Sequence, residues 1–342
     1  MRARDLGIAL GDGVPGPRNA ITDVAGVRVG HRTLIEGESV RTGVTMVVPP
    51  ETPLFAGCHR LNGNGELTGL EWVRESGLLT TPIGITNTFS VGVVRDAIAA
   101  ASADEDAWSL PVVGETFDGF LNDIRGQHVT AEHAHAALEA AEGGAVEEGS
   151  VGGGTGMICH EFKGGIGTAS RKVGDYLVGV LVQANYGRRE RFRVDGVPVG
   201  RLIGERIPLP RDGDESGSII GIVATDAPLL PHQCDRLAQR IGLGVGRMGG
   251  TAAHSSGDIF FAFATGNGGL AGDGELTLRM LSDEAITPFY DAVIDSTEEA
   301  ILNSMLSSQT MTGRDGNTVH ALDPDLLQQV LQDEGPVFTG PS

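Results

Sequence analysis

The sequence predicts an α/β fold, and three observations carry that prediction. Apolar, β-branched runs bounded by turn residues, such as Ile219-Ile-Gly-Ile-Val223 and Tyr176-Leu-Val-Gly-Val-Leu-Val182, read as strands covered on both faces. Alanine- and leucine-bearing stretches at helical spacing lie between such runs. Glycine, at 52 of 342 residues, is roughly twice as common as average usage. It is spread through the apolar segments instead of being gathered into a linker, so it belongs to the fold.

Residues 5–35 mix short apolar runs with Gly11-Asp-Gly13 and Pro15-Gly-Pro17 turns, which predicts hairpins. Val44-Thr-Met-Val-Val48, closed by Pro49-Pro50, predicts a strand. Glu66 to Gly77 predicts a short helix stopped at its glycine. Pro82 to Asn87 begins as a strand, and Val93 to Ala103 is alanine-rich and helical. Leu110 to Val113 is apolar and runs into Glu115-Thr-Phe117-Asp118-Gly119, a layout that delivers Glu115 to a pocket edge; a solvated loop carboxylate is the plainer alternative. Thr130 to Ala141 is the clearest helix, with Thr130 as N-cap and Gly143-Gly144 as stop. Val151-Gly-Gly-Gly-Thr155-Gly156 is a loop whose backbone N–H groups could meet an anion, whereas Lys163-Gly-Gly-Ile-Gly167 reads as a tight turn or close packing. Tyr176 to Asn185 predicts a long strand ending on a carboxamide. Arg188 to Pro210 reads as a basic hairpin and loop. Pro231 to Gly246 predicts a helix, and Gly249 to Thr265 a polar loop entering a strand. Residues 283–306 predict a final amphipathic helix, after which the tail beyond Asn317 is acidic and partly disordered.

A net charge of −20 and a pI near 4.7 argue against a nucleic-acid or anionic-membrane partner. Met1 to Gly7 lacks an apolar run behind its basic residues, and nowhere do eighteen apolar residues follow one another, so a soluble, cytoplasmic protein is expected. Cys58, Cys159 and Cys234 are scattered and lack C-x-x-C spacing, which argues for buried thiols over disulfides or structural zinc. In Cys58-His59 and Cys159-His160, neighbouring side chains on a strand point to opposite faces. His133 and His135 do not share a helix face. No metal and no cofactor is expected.

The most informative stretch is Asp212-Gly-Asp-Glu-Ser-Gly217-Ser218-Ile-Ile, where a polar loop turns directly into an apolar strand. Ser218 stands first in that strand, and Gly217 can supply unusual backbone angles at the junction. Such a serine suits self-cleavage, because a cut before it frees an α-amino group with a reference pKa of about 7.7–8.0, a base carried on the nucleophile's own residue. A loop serine capping a strand is the plain alternative. Ser256-Gly-Asp258-Ile repeats the junction pattern, so pairing of the two strands would make Ser218, Ser256 and Asp258 neighbours. Asn185, at its strand end, has an amide able to donate to an oxyanion; a turn asparagine before Gly187 explains it equally.

Asn87-Thr-Phe-Ser-Val-Gly-Val-Val-Arg-Asp96, Leu121-Asn-Asp-Ile124, Val151 to Met157, Lys163 to Arg171, Val182-Gln-Ala-Asn185, Ala224 to Gln233 and Ser256-Gly-Asp-Ile together resemble the L-aminopeptidase/D-esterase-amidase (DmpA-like) family, which includes the β-peptidyl aminopeptidases. The resemblance runs in order over nearly the whole chain. It implies a four-layer α/β/β/α sandwich like that of N-terminal-nucleophile hydrolases, formed as one catalytic domain over 1–342 that cuts itself into chains 1–217 and 218–342. It implies homo-oligomers, such as tetramers of processed pairs, acting on short peptides, amino-acid amides or esters. It further implies Ser218 as nucleophile, Gly217 before the cut, Ser256 as second serine, Asp258 as the acid orienting the serines, Asn185 as oxyanion donor and Glu115 as holder of the substrate amine. Phe117 departs from the tyrosine of Glu-Thr-Tyr-Asp-Gly and cannot donate a hydrogen bond. Two other readings stand beside this one: an acyltransferase similar to ornithine acetyltransferase, whose Ala-Thr junction Gly217-Ser218 does not match, and a nucleotide-binding protein built on the Gly152 to Gly156 loop.

Overall fold

Two stacked sheets organise the chain, and the computed structural model describes residues 1–101, 108–210, 217–272 and 274–334. The first half contributes β1 (Arg28–Glu36), β2 (Val40–Val48), β3 (Leu54–Arg60), α1 (Leu70–Ser76), β4 (Leu78–Leu79), β5 (Ile83–Asn87), α2 (Val91–Ala100), β6 (Val112–Thr116) and α3 (Ala131–Glu139). Then follow β7 (Ile158–Cys159), β8 (Phe162–Lys163), β9 (Gly165–Val173), β10 (Tyr176–Asn185), α4 (Val199–Ile203), β11 (Ser218–Thr225), α5 (Pro231–Arg247), β12 (Gly257–Ala264), α6 (Thr287–Leu306), β13 (Met311–Thr312), β14 (Thr318–Val319) and α7 (Pro324–Glu334).

One sheet has the order β1-β2-β5-β6 and the other β4-β3-β12-β11-β10-β9. Alternation along the strands separates three large apolar cores, beside a small fourth cluster of Leu121, Ile158 and Val319. Ile220 and Ile222 face Ile83, Ile85 and Val112 between the sheets, whereas Ile219 and Val223 face Leu237, Ile241 and Ile301 of α5 and α6. Val44, Met46 and Val113 pack under Val94, Ile98, Ala134 and Ala137 of α2 and α3. The layers therefore run helices, sheet, sheet, helices, the predicted sandwich. Glycine permits the close approach of helix to sheet: a Cβ on Gly167 of β9 would lie 1.9 Å from the Ala300 carbonyl oxygen of α6.

Five expectations need correction. Residues 5–35 form no hairpin of their own: helical turns at Ala3–Leu6 and Ile21–Asp23 precede β1, whose antiparallel partner is β2. Arg188 to Pro210 is not a hairpin with strands. Asp195-Gly196 does close a tight Val194–Val197 bridge, but Val199 and Ile203 are buried one helical turn apart in α4, between helical turns at Arg189–Arg191 and Gly204–Arg206. α6 is not amphipathic, being buried from Ala292 to Leu306, because its charges face protein partners. The Arg171 guanidinium lies 2.7 Å from Glu299, which also pairs with Arg4 at 3.0 Å, and Arg247 pairs with Glu298 at 3.0 Å. Nor is it the final helix, since β14 and α7 follow Asn317. Cys58 is half-buried, unlike Cys159 and Cys234. The loop from Asp212 to Ser216 and the tail from residue 335 lie outside the described residues.

Candidate active site

The hydrophobic run that buries β11 in mid-sheet also sets where it starts, and Ser218 is its first residue. Ser218 stands opposite Asn185 of antiparallel β10 on one side and Gly257 of parallel β12 on the other. Its Oγ accepts a hydrogen bond from the Gly257 N–H at 3.0 Å. Gly257 in turn lies between Ser256, whose Oγ donates to Asp258 Oδ1 at 2.6 Å, and Asp258 itself. Both side chains are buried. One parallel pairing step thus brings together three residues that are separated by 38 to 40 positions in sequence order, counted from Ser218. Before the serine, a Cβ on Gly217 would meet the Asn185 carbonyl oxygen at 2.1 Å, so the junction requires glycine for room.

Asn185 is oriented by its neighbours. The Ile158 N–H donates to its Oδ1 at 2.8 Å, which fixes the other terminal atom as Nδ2, and Nδ2 donates to the Phe117 carbonyl at 3.0 Å. Glu115 sits inside β6, with only 3% of its surface exposed, not on a solvated loop. Its Oε1 accepts from the Glu66 N–H at 3.0 Å and its Oε2 from the Thr88 hydroxyl. Burial pushes its pKa above the ordinary carboxylate range, against the pull of those two hydrogen bonds. Gly65 connects this carboxylate to the serines: a Cβ there would lie 3.1 Å from Glu115 Oε1 and 3.0 Å from the Gly257 Cα. Phe117, half exposed, lays its ring over Gly119. Asp118 is buried beside it, its carboxyl pushed up by burial to about 7, with one oxygen accepting from Asn122 at 3.0 Å.

The structure brings together Gly217, Ser218, Ser256, Asp258 and Asn185, with Glu115 adjoining through Gly65. Sequence reasoning missed Gly257, because a backbone donor has no residue-type signal, and it missed Thr88, Glu66 and Ile158 as supports. Thr88 was visible inside the Asn87-Thr-Phe-Ser run, but its partner was not. The glycine loop does not serve as an anion cradle. Gly152 N–H donates to Thr33 Oγ1 at 2.9 Å, Gly153 N–H to Thr45 Oγ1 at 3.1 Å and Gly154 N–H to the Val151 carbonyl at 2.8 Å, and all three glycines are buried between strands. The nucleotide-binding reading therefore has no support. Among the described residues no group of three or more histidines, cysteines or acids is placed to hold a metal ion, and no helix is long and apolar enough to cross a membrane.

Helices covering both outer faces of two stacked sheets, with a serine heading a central strand, define a hydrolase of the N-terminal-nucleophile type. The model for peptidase family S58 matches residues 19–319, and the chain belongs to that family: it is a serine aminopeptidase/amidase. It is 46% identical to the β-peptidyl aminopeptidase BapA of Sphingosinicella microcystinivorans, over 97% of this chain and 92% of that one. A solved β-aminopeptidase from Burkholderia sp. superposes with a TM-score of 0.92 at 52% identity, covering 98% of this chain and 99% of that one. The L-aminopeptidase D-Ala-esterase/amidase of Ochrobactrum anthropi, described as a variant of the Ntn hydrolase fold, gives 0.90 at 42% identity, with 98% and 99% covered. A peptidase family leaves the acyltransferase reading without support.

Proposed function

We propose that the chain is a single catalytic unit that cuts itself before Ser218 and then uses that serine as nucleophile on short peptides and amino-acid amides. The observation that carries the reading is the position of Ser218 at the head of β11, behind Gly217 and 3.0 Å from the Gly257 N–H. In maturation, Ser218 Oγ adds to the Gly217 carbonyl carbon, its proton passes to the Ser218 nitrogen as the peptide bond to that nitrogen breaks, and water hydrolyses the resulting ester. This leaves chains 1–217 and 218–342 and a free α-amine on Ser218. In turnover that amine accepts the Oγ proton as Oγ attacks the substrate carbonyl. Asn185 Nδ2 and the Gly257 N–H stabilise the oxyanion. The leaving amine departs with the proton, and water releases the acyl group. Ser256, held by Asp258, orients the α-amine. Glu115 receives the substrate's ammonium, a charged partner that an internal amide cannot supply, added to the Glu66 N–H and Thr88 hydroxyl that already hold the carboxylate.

The names of the relatives favour substrates that include β-peptides. The self-associating state and a cytoplasmic location are part of the same reading, the latter supported by three cysteines with no disulfide among them. Intact mass and N-terminal sequencing test the proposal. Wild type is expected as two chains, the second beginning at Ser218, and Ser218→Ala as one inactive chain. Processing that persists in Ser218→Ala would assign the cut to another protease and remove the nucleophile.

A further inference from the structure

After β12 the chain crosses to α6 through a segment that carries three exposed apolar side chains. Residues 275–282 form no helix, strand or turn, and among the described residues no backbone–backbone hydrogen bond holds 275–281. Leu276, Leu278 and Met280 are nevertheless 42%, 43% and 50% exposed, at alternate positions. In an extended chain that spacing puts all three on one face, with Glu275, Thr277 and Arg279 on the other.

The segment is held from one side only. The buried Asn267 accepts from the Arg279 N–H at 3.0 Å and donates to the Arg279 carbonyl at 2.8 Å, gripping one residue's N–H and C=O as a neighbouring strand would. The buried Gln233 donates to the Leu281 carbonyl at 2.9 Å, and the exposed Arg279 guanidinium donates through Nη2 to the Gly266 carbonyl at 2.9 Å, which leaves its other donors for a partner. Odd-numbered residues thus bond inward, and the alternation of a strand turns the backbone groups of Leu276, Leu278 and Met280 to the outer edge. An apolar outer edge lacking lysine or proline is a template for another strand.

We propose that this edge pairs antiparallel with the same edge of a second copy, about a two-fold axis through Thr277. The sequence is self-complementary in that register. Glu275 falls opposite Arg279 of the partner subunit, and Arg279 opposite Glu275 of the partner subunit. Leu276 meets Leu278 of the partner subunit on the apolar face, and the two Thr277 side chains meet on the axis. Each is a favourable cross-strand pair, and the even-numbered pair takes the ladder hydrogen bonds, as the inward clamp requires. The contact is isologous, so it closes on two copies without leaving an open edge. It specifies the surface for the self-association proposed above and rests on that part of the reading alone.

Sedimentation over a range of concentrations, with amino-acid p-nitroanilide hydrolysis measured on the same samples, tests the pairing. Wild type is expected to associate. Glu275→Arg or Arg279→Glu replaces two attractive pairs with two repulsive ones and is expected to weaken association at least about tenfold. The double reversal restores it, and Leu276→Asp with Leu278→Asp abolishes it. All of these side chains are exposed, so hydrolysis by each variant reports an intact fold. A monomeric wild type, unchanged association in the double-aspartate variant, or a double reversal as weak as the single ones would overturn the pairing. Loss of hydrolysis by wild type itself would instead count against the catalytic reading.

Discussion

In the proposed function, burial of the single side chain Glu115 is what would select the substrate. Two hydrogen-bond donors hold its carboxylate, yet burial still raises its pKa. A group so placed is charged above its raised pKa and loses its charge, and with it the proposed ammonium contact, as pH falls through that value. The α-amine that the proposed cut would free on Ser218 would titrate as well, but it would serve free-amine and N-acetylated substrates alike. The ratio of their kcat/KM values therefore isolates Glu115. That ratio is expected to exceed one at neutral pH and to fall on acidification, beginning above the usual glutamate value of about 4.3. Glu115→Gln should lower it by roughly one to two decades, the worth of a charged hydrogen bond, and make it flat below pH 7 while still self-cleaving. Equal rates on both substrates by wild type would show that Glu115 does not read the amine. At Asn185, whose amide is pinned by Ile158, Asn185→Ala is expected to lower kcat by roughly 10²–10³. Phe117→Tyr, at a half-exposed ring beside that amide's acceptor, should raise kcat by restoring a donor. An unchanged kcat in Asn185→Ala would remove it from the site.

Elements in this molecule meet through glycine, and the effect has opposite signs at two helices. Gly167→Ala places a Cβ 1.9 Å from the Ala300 carbonyl and 2.8 Å from the Ser304 N–H, both helix backbone that has nowhere to yield. A loss on the order of 2–3 kcal/mol is expected from such overpacking. Gly246 of α5 has no atom within 4 Å of the same construction, so Gly246→Ala should gain up to about 1 kcal/mol from helix propensity. Urea midpoints for the two variants check both signs. Much at this scale was legible in the residues. β10 runs from Tyr176 to Asn185 and β11 begins at Ser218 because long apolar strands end abruptly at polar letters. α1 stops at Gly77, which adopts the left-handed cap its lack of a side chain allows. The rest was hidden for physical reasons. Glu298 and Glu299 look like a solvated stripe until Arg247, Arg4 and Arg171 arrive from elsewhere. Asp195-Gly196 does make its turn, but nothing local shows that the flanking residues prefer helical turns to a ladder. Register alone sets Gly257 against Ser218, and register is settled by whole sheets.

Across the whole molecule, the six-stranded sheet draws β4, β3, β10 and β9 from before Ser218 and β12 and β11 from after it, in the order β4-β3-β12-β11-β10-β9. The proposed cut would thus remove a covalent link without releasing any element, since both strands of the second chain are flanked by strands of the first. The processed protein is expected to migrate as one species under native conditions and as two on a denaturing gel. Two bands under both conditions would contradict this interleaving. Before the cut, unfolding is a one-molecule event whose midpoint ignores concentration. Afterwards the unfolded state is two separate chains, so reassembly becomes a collision, and dilution alone should lower the melting temperature. Maturation would then fix the order of events in the life of the enzyme: the fold has to be complete before the cut, because once the chains part they must find each other again.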